Sequence, residues 1–482
     1  MSDSTPHGMH EGPAVGQDEW VARHAERRIM RQGPLGDLET RLRRVPWWAW
    51  LVLFLALFSL LPVVEGNGYV RQVAFDTVLY MLLALGLNVV VGWGGLLDLG
   101  YVAFYGVGAY AYALLDSPHY GIHLPFFVTI PVVTAIGAIV GFLLGLPSWR
   151  LTGDYLAIVT LFFLQLFQTI ATNASSITGG PFGINNVYPL GAFGHDLQPQ
   201  HEGIFAVSYL YVALAVFAVV FVALRFVNYS RTGRAWRSLR EDPLAAEAMG
   251  MPVNRLKLMS FAFGSAVAAL TGTLYASLNG SVFPLTFYFV LLIVVYTMVI
   301  LGGSGSQAGV VAGALIIGPL LELLRDASKS RVIFFVTLVL ALGVASSRSR
   351  KISLVALATL VLGFVVHAVA GGIHSDWVAG EHQAGLAGVV DYWVVAPAHL
   401  ARWIPPASYI GVIAAVLVCS MLRGTWRLVA VVPTLYLAAF VWENVMLSKP
   451  EPARYIVLGI VLIALMILRP NGLLGERRVE IV

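Results

Sequence analysis

The chain has 482 residues, 58% of them hydrophobic and only 12% charged, whereas soluble domains carry about 25% charged residues. That balance, with a mean hydropathy of +0.79, excludes a soluble globular protein and defines a multi-pass membrane protein. A net charge of +4 is too small to point to nucleic acid, and a single cysteine, Cys419, excludes an internal disulfide.

Residues 1–45 are polar and end in Arg41, Arg43 and Arg44, which reads as a cytoplasmic tail with a helix over Asp18 to Gln32. The first apolar run starts after Pro46, so no signal peptide is expected, and Trp47, Trp48 and Trp50 mark a membrane interface. Apolar runs of bilayer length then recur, about fourteen in all, from 47–64 to 454–468. The expected fold is an all-α polytopic membrane protein of about fourteen transmembrane helices, some of them broken. With both termini in the cytoplasm, Arg150, the 228–257 loop, Arg348, Lys351, Arg423, Arg427 and the C-terminal arginines obey the positive-inside rule. Arg325, Lys329 and Arg331 fall on the outside. Either they pair with acidic residues there, or this topology is locally wrong.

The run from Val91 to Leu115 holds Gly92, Gly94, Gly95, Gly100, Gly106 and Gly108, too many for a plain span. Small residues in a membrane serve close helix packing or a backbone that lines a cavity. Asp98 would cost about 3 kcal/mol in a span unless terminal, paired or facing water, so it is a hydrated boundary residue or part of a pathway. Gly94, Gly95, Asp98, Gly100, Phe104, Gly106 and Gly108 are therefore candidates for a translocation pathway. Further on, Asp154 is expected to cap a helix, with Tyr155 beside it as a further pathway candidate. Thr178, Gly179 and Gly180 begin a glycine-rich turn whose amides could bind a carboxylate, or which could be a tight extracytoplasmic loop. Residues 302–309 are glycine-rich but lack the lysine of a phosphate loop, so ATP binding by that device is excluded.

Residues 228–257 form the longest strongly charged segment within the apolar chain. Asp242 can cap a helix, Pro243 suits its first position and Gly250 can end it in a left-handed conformation, which predicts a helix over Pro243 to Met249. Leu244, Ala245, Ala246, Ala248 and Met249 make an apolar knob preceded by Arg231, Arg234, Arg237 and Arg240. Such a knob fits a groove on another protein, or lies on lipid headgroups as an amphipathic helix.

Six stretches then stand in order: GGLLDLGYVAFYGVGAY at 94–110, GDYLAIVTL at 153–161, TGGPFGI at 178–184, GRAWRSLREDPLAAEAMG at 233–250, ILGGSGSQAG at 300–309 and LRPNGLL at 468–474. Together they resemble the permease family of branched-chain amino acid ABC transporters, which includes urea and amide permeases. The resemblance implies a plasma-membrane subunit that works with a second permease, two cytoplasmic ATPases and an extracytoplasmic solute-binding protein, and that uses no cofactor of its own. It also implies that Gly233, Arg234, Arg237, Arg240, Asp242, Ala245, Ala246 and Gly250 couple the chain to an ATPase. Leu244 stands where that loop usually has Glu.

The resulting division is a tail (1–45), a permease core (46–326) with its coupling loop (228–257), an inserted membrane block of about four helices (327–452) and a final helix with its tail (453–482). His367, His374, His382 and His399 have no metal-ligand spacing, and Glu443 and Asn444 read as interfacial. No catalytic constellation emerges, which disfavours an enzyme. A secondary transporter driven by an ion gradient is the alternative. Its relay would have to use Asp76, Asp98 or Asp154, all near the ends of spans. The solute stays open between a zwitterion and a neutral amide.

Overall fold

A computed structural model describes residues 46–64, 68–118, 121–149, 151, 153–192, 195–196, 208–348, 350–378, 392–397, 401–447, 450–468 and 472–474. The expected helix at Asp18 to Gln32 lies outside them. The chain divides into two units, 1–64 and 65–482. Of the first, the described part is α1 (Trp47–Val64), an apolar helix with the rings of Phe54 and Phe58, one turn apart, in tilted contact at 4.8 Å.

The second unit is a helical assembly. Its elements are α2 (Gly68–Leu87), α3 (Tyr101–Leu115), α4 (Phe126–Gly145), α5 (Asp154–Asn173), the short α6 (Ser175–Thr178), α7 (Ser208–Tyr229), α8 (Arg231–Glu241), α9 (Pro243–Ala248) and α10 (Val253–Asn279), followed by α11 (Phe289–Gly302) and α12 (Gln307–Leu323). Then come α13 (Ala327–Arg348), α14 (Arg350–Ile373), α15 (Ile404–Met421), α16 (Thr425–Val441) and α17 (Pro450–Leu468). Helices dominate because a backbone in lipid must bond within its own segment. Strands are two-residue antiparallel pairs in the connections; one joins Ile184–Asn185 to Ser281–Val282.

Among the described residues, nine helices are long and apolar enough to cross a membrane, and four further apolar helices are shorter. The expected count of about fourteen crossings is not reproduced at that standard. The reason is visible in α3, which starts only at Tyr101 because residues 94–100 are not helical.

Two helices form the buried axis: α2, whose most apolar window is 83% buried, and α10, at 72%. They approach closely because α10 presents small residues on several sides. Gly264 lies against Gly86 and Val90 of α2, Gly272 against the backbone of α3 between Tyr105 and Ala109, and Ser265 and Ala269 against Gly141 and Gly137 of α4. Without a hydrophobic drive between helices in lipid, this backbone-to-backbone packing is what holds them together.

Beyond α12, α13 packs on α14, α14 and α15 both pack on α16, and α17 returns to lie against α11. The three cations expected outside are all paired, Arg325 with Glu322 and Lys329 with Asp326 at 3.5 Å each, and Arg331 with Glu443. Glu443 is thus not interfacial: it is buried in a π-helical turn, Trp442–Met446, where Trp442 also stacks on Phe334 at 4.5 Å. Asn444 donates to the Val395 carbonyl at 2.9 Å.

A side chain on Gly108 would run into the backbone of Ala269. Gly108→Val is therefore expected to cost about 1–3 kcal/mol by overpacking, read as a lower thermal midpoint of the detergent-solubilised protein. An unchanged midpoint would mean that α3 and α10 do not depend on this contact.

Candidate functional site

The charged segment folds as two capped helices. Ser230 accepts the Gly233 amide at the start of α8, and Asp242 accepts the amides of Leu244 and Ala245 at 2.8 and 3.1 Å at the start of α9. Pro243 occupies the first turn, Met249 is the C-cap, and Gly250 has φ +78°. The helix thus ends one residue before the expected Met249. Of the knob, Leu244 and Met249 are 78% and 80% exposed, but Ala246 is only 4% exposed and faces the protein. Arg234 and Arg237 do not reach outward: they donate to the carbonyls of Tyr229 and Asn228, the C-terminal end of α7, where cations offset the helix dipole. Gly233 sits against the same carbonyls, with no room for a side chain.

Arg240 points inward to the end of α2. There the helix widens into a π-turn, Asn88–Trp93, and leaves carbonyls without helical partners. Arg240 Nη1 donates to the Gly92 carbonyl at 2.6 Å, and Nη2 to Ser304 Oγ at 3.3 Å. Asn88 Oδ1 accepts the Gly305 amide at 2.8 Å, and Trp93 Nε1 donates to the Gly305 carbonyl at 2.9 Å. Trp93 stacks on Trp236 of α8, whose indole donates to Leu256 of α10 at 2.8 Å. The end of α2, the 302–306 loop, α8 and the start of α10 thus meet in one hydrogen-bonded junction. Gly95, at φ +67°, passes directly beside Arg240.

Asp98 is buried, and its Oδ1 accepts the Gly100 amide at 2.8 Å just before α3, so it is not a hydrated boundary residue. Tyr296 of α11 donates to the Asp98 carbonyl at 2.7 Å, and Thr160 of α5 accepts the Leu99 amide at 2.9 Å. Gly94 and Gly100 are closely packed, against Ser260 and against the Thr160 carbonyl, and Gly106 lies beneath Phe167 and Phe287. Phe104 is buried against Phe163 at 5.3 Å. Tyr155 is 71% exposed, and Asp154 begins α5 without capping it, Gly153 holding the cap position. In the glycine-rich turn the Gly179, Gly180 and Gly183 amides are taken by Ser175, Thr178 and Gly180, and Gly179 and Gly180 have positive φ. Its geometry is that of a tight turn rather than an anion nest.

None of these residues lines the polar cavity of about 400 Å³ found at the opposite end of the helices. Its wall is built by α2 from Gln72 to Leu83, Tyr105 of α3, the end of α10, the start of α11, the end of α12 and the start of α17, and includes Asp76, Tyr80, Glu322, Arg325, Arg454 and Tyr455. Asp76 and Arg325 stand out in the sequence as charges near span ends. Glu322, Tyr80, Arg454 and Tyr455 carry no motif, and the signal that would have found them is a polar face on otherwise apolar helices. Among the described residues no group of His, Cys, Asp and Glu could hold a metal.

The structure is thus that of a polytopic helical membrane protein with a capped, exposed knob at one end of its bundle and a polar cavity at the other. A family model described as the branched-chain amino acid transport system permease component matches residues 69–346, more than half the chain. The chain is 39% identical over 293 residues to the high-affinity branched-chain amino acid transport system permease protein LivM of Escherichia coli (strain K12), covering 57% of this chain and 68% of that protein. A probable LivM of Methanocaldococcus jannaschii is 30% identical over 246 residues, covering 48% and 69%, and the Escherichia coli (strain K12) LivH permease is 28% identical over 283 residues, covering 55% and 88%. No solved structure matches. The chain belongs to the branched-chain amino acid transport system permease family.

Arg240→Met removes the donors to Gly92 and Ser304 and keeps the stem of the side chain. Amide exchange at 88–95 and 302–306 is expected to quicken about tenfold, as a charged bond worth 1.5–3 kcal/mol is lost, while α7 keeps its protection. Equal protection in both proteins would show that Arg240 does not hold the junction.

Proposed function

We propose that this chain is the pathway-forming permease subunit of an ATP-driven importer for branched-chain amino acids or related small zwitterions and amides, seated in the plasma membrane. The observation that carries the reading is the α8–α9 segment: a knob exposed at Leu244 and Met249, rooted by buried Ala246 and Trp236, and tied by Arg240 to the break in α2. A knob so rooted can take a push from a partner and pass it to the bundle. We assign that partner as a cytoplasmic ATPase, one of two, in accord with the positive-inside placement of α8. Coupling rests on Asp242, Ala245 and Gly250, which shape α9, on Arg234 and Arg237, which fasten α8 to α7, and on Gly233 and Ala246, which let the segment sit close.

The relative named LivH is a second type of permease in such a system, which supports pairing of this chain with a second permease subunit. An extracytoplasmic binding protein would deliver the solute to the cavity end. The broken 94–108 segment, tightly packed by its glycines, lies between the two ends as the wall that movement of α2 would shift. A carboxylate relay for an ion gradient has less support, since Asp98 caps a turn and Asp154 sits in the first turn of α5, which leaves Asp76 alone of the three candidates in a polar cavity.

Leu244→Asp and Met249→Asp alter only exposed positions, so the chain should accumulate and fold normally. Each should weaken co-purification of the ATPase and uptake of labelled leucine about tenfold or more, in the range of an interface hot spot. Uptake and co-purification at wild-type levels in both variants would remove the coupling assignment. Labelled urea in the same assay decides between a zwitterion and an amide as the solute.

A further inference from the structure

The cavity between α2, α11, α12 and α17 has a graded wall. On α2 the residues lining it fall at 72, 73, 76, 79, 80 and 83, one helical face, with Gln72 and Asp76 near the helix start and Leu79 and Leu83 further in. A similar order runs from Tyr288, just before α11, through Leu291 to Val294, and from Arg325, just after α12, through Glu322 to Leu321. The charged groups thus gather near these helix ends, while Leu79, Leu83, Leu291 and Val294 supply an aliphatic part of the wall.

The charges at the rim are not all spent on one another. Glu322 and Arg325 pair at 3.5 Å. Asp76 is bonded by the Gln72 amide, at 3.2 and 3.3 Å, and makes no ion pair among the described residues. Arg454 donates to the Tyr455 hydroxyl at 2.9 Å and makes no ion pair among the described residues. Asp76 and Arg454 both line the cavity, so the two face a common space. A carboxylate and a guanidinium that line one cavity, neither in an ion pair among the described residues, mark a place for a ligand carrying both charges.

Resting on the transport reading above, we propose that this cavity binds a free aliphatic α-amino acid as its zwitterion. The carboxylate lies on Arg454, the ammonium on Asp76, and the branched side chain against Leu79, Leu83 and Val294. Arginine suits a carboxylate because its fork can donate two parallel bonds, and an ammonium offers donors to a carboxylate. A volume of about 400 Å³ suits a small ligand. Urea and simple amides carry neither charge and would leave both groups unpaired, so the site selects between the two solute classes that the sequence leaves open. Arg454 and Tyr455 come from α17, after the 327–452 block and outside the matched 69–346 region, so the last helix supplies the carboxylate ligand.

The test is equilibrium binding of labelled L-leucine to the purified full-length chain in lipid nanodiscs, with competition by leucinamide, which lacks the carboxylate, and by 4-methylpentanoate, which lacks the ammonium. The wild type should prefer leucine to both by about tenfold or more. Arg454→Gln should lose about tenfold for leucine with little change for leucinamide, Arg454→Lys should fall between, and Asp76→Asn should lose leucine with little change for 4-methylpentanoate. Equal affinity for the three compounds, no saturable leucine binding, or variants that shift all three alike would overturn the site. Leucine uptake by the assembled transporter separates the two readings. Persistence in both wild type and Arg454→Gln sinks the site and leaves transport standing, whereas absence in the wild type sinks the transport reading itself.

Discussion

The bond from Arg240 to the Gly92 carbonyl fixes the relation between the exposed knob and the membrane bundle. It is short, at 2.6 Å, and charge-assisted, which places it among the stronger hydrogen bonds a protein makes. It is also made at the one place where α2 has given up its α-helical pattern, so the carbonyl is free to accept it. Trp93 and Trp236 close the same junction from the apolar side, and the 302–306 loop completes it through Asn88 and Ser304.

From that junction the two most buried helices lead away together. Both α2 and α10 have one end at the knob and the other at the polar cavity, and helices of 20 and 27 residues span about 30 Å or more. The glycine contacts along α10 leave no slack between it and α2, α3 and α4, so a shift at one end has little room to dissipate. The block after α12 stands apart from this axis. It is joined by Arg331 and Glu443, a buried pair whose attraction is largely offset by the desolvation of both charges, and by the aromatic stack of Phe334 with Trp442.

The parts legible in the sequence were those with local causes. Apolar runs of bilayer length place the helices because burial in lipid acts on each run by itself, and Asp242, Pro243 and Gly250 mark α9 because capping is a matter of a few consecutive residues. The glycine-rich 91–115 run is readable as a break, but whether each glycine faces a helix or a cavity depends on partners 60 to 200 residues away, such as Thr160 and Gly305. Asp98 illustrates the same gap: its burial follows from Tyr296 and Thr160 closing over the turn, which no spacing near Asp98 discloses. The cavity was the least legible feature, since Asp76, Glu322 and Arg454 lie on three different helices and only the fold brings them to one rim.

The link between the two ends is tested most directly by chemical access to the cavity in the assembled transporter. In a Cys419→Ser background, Asn279→Cys puts a thiol in the cavity wall, and its reaction rate with a charged methanethiosulfonate reagent is measured with and without ATP. The rate should change with ATP when Arg240 is present and lose that dependence in Arg240→Met, although the ATPase still binds. An equal ATP response in the two proteins would contradict the role given to the Arg240 junction.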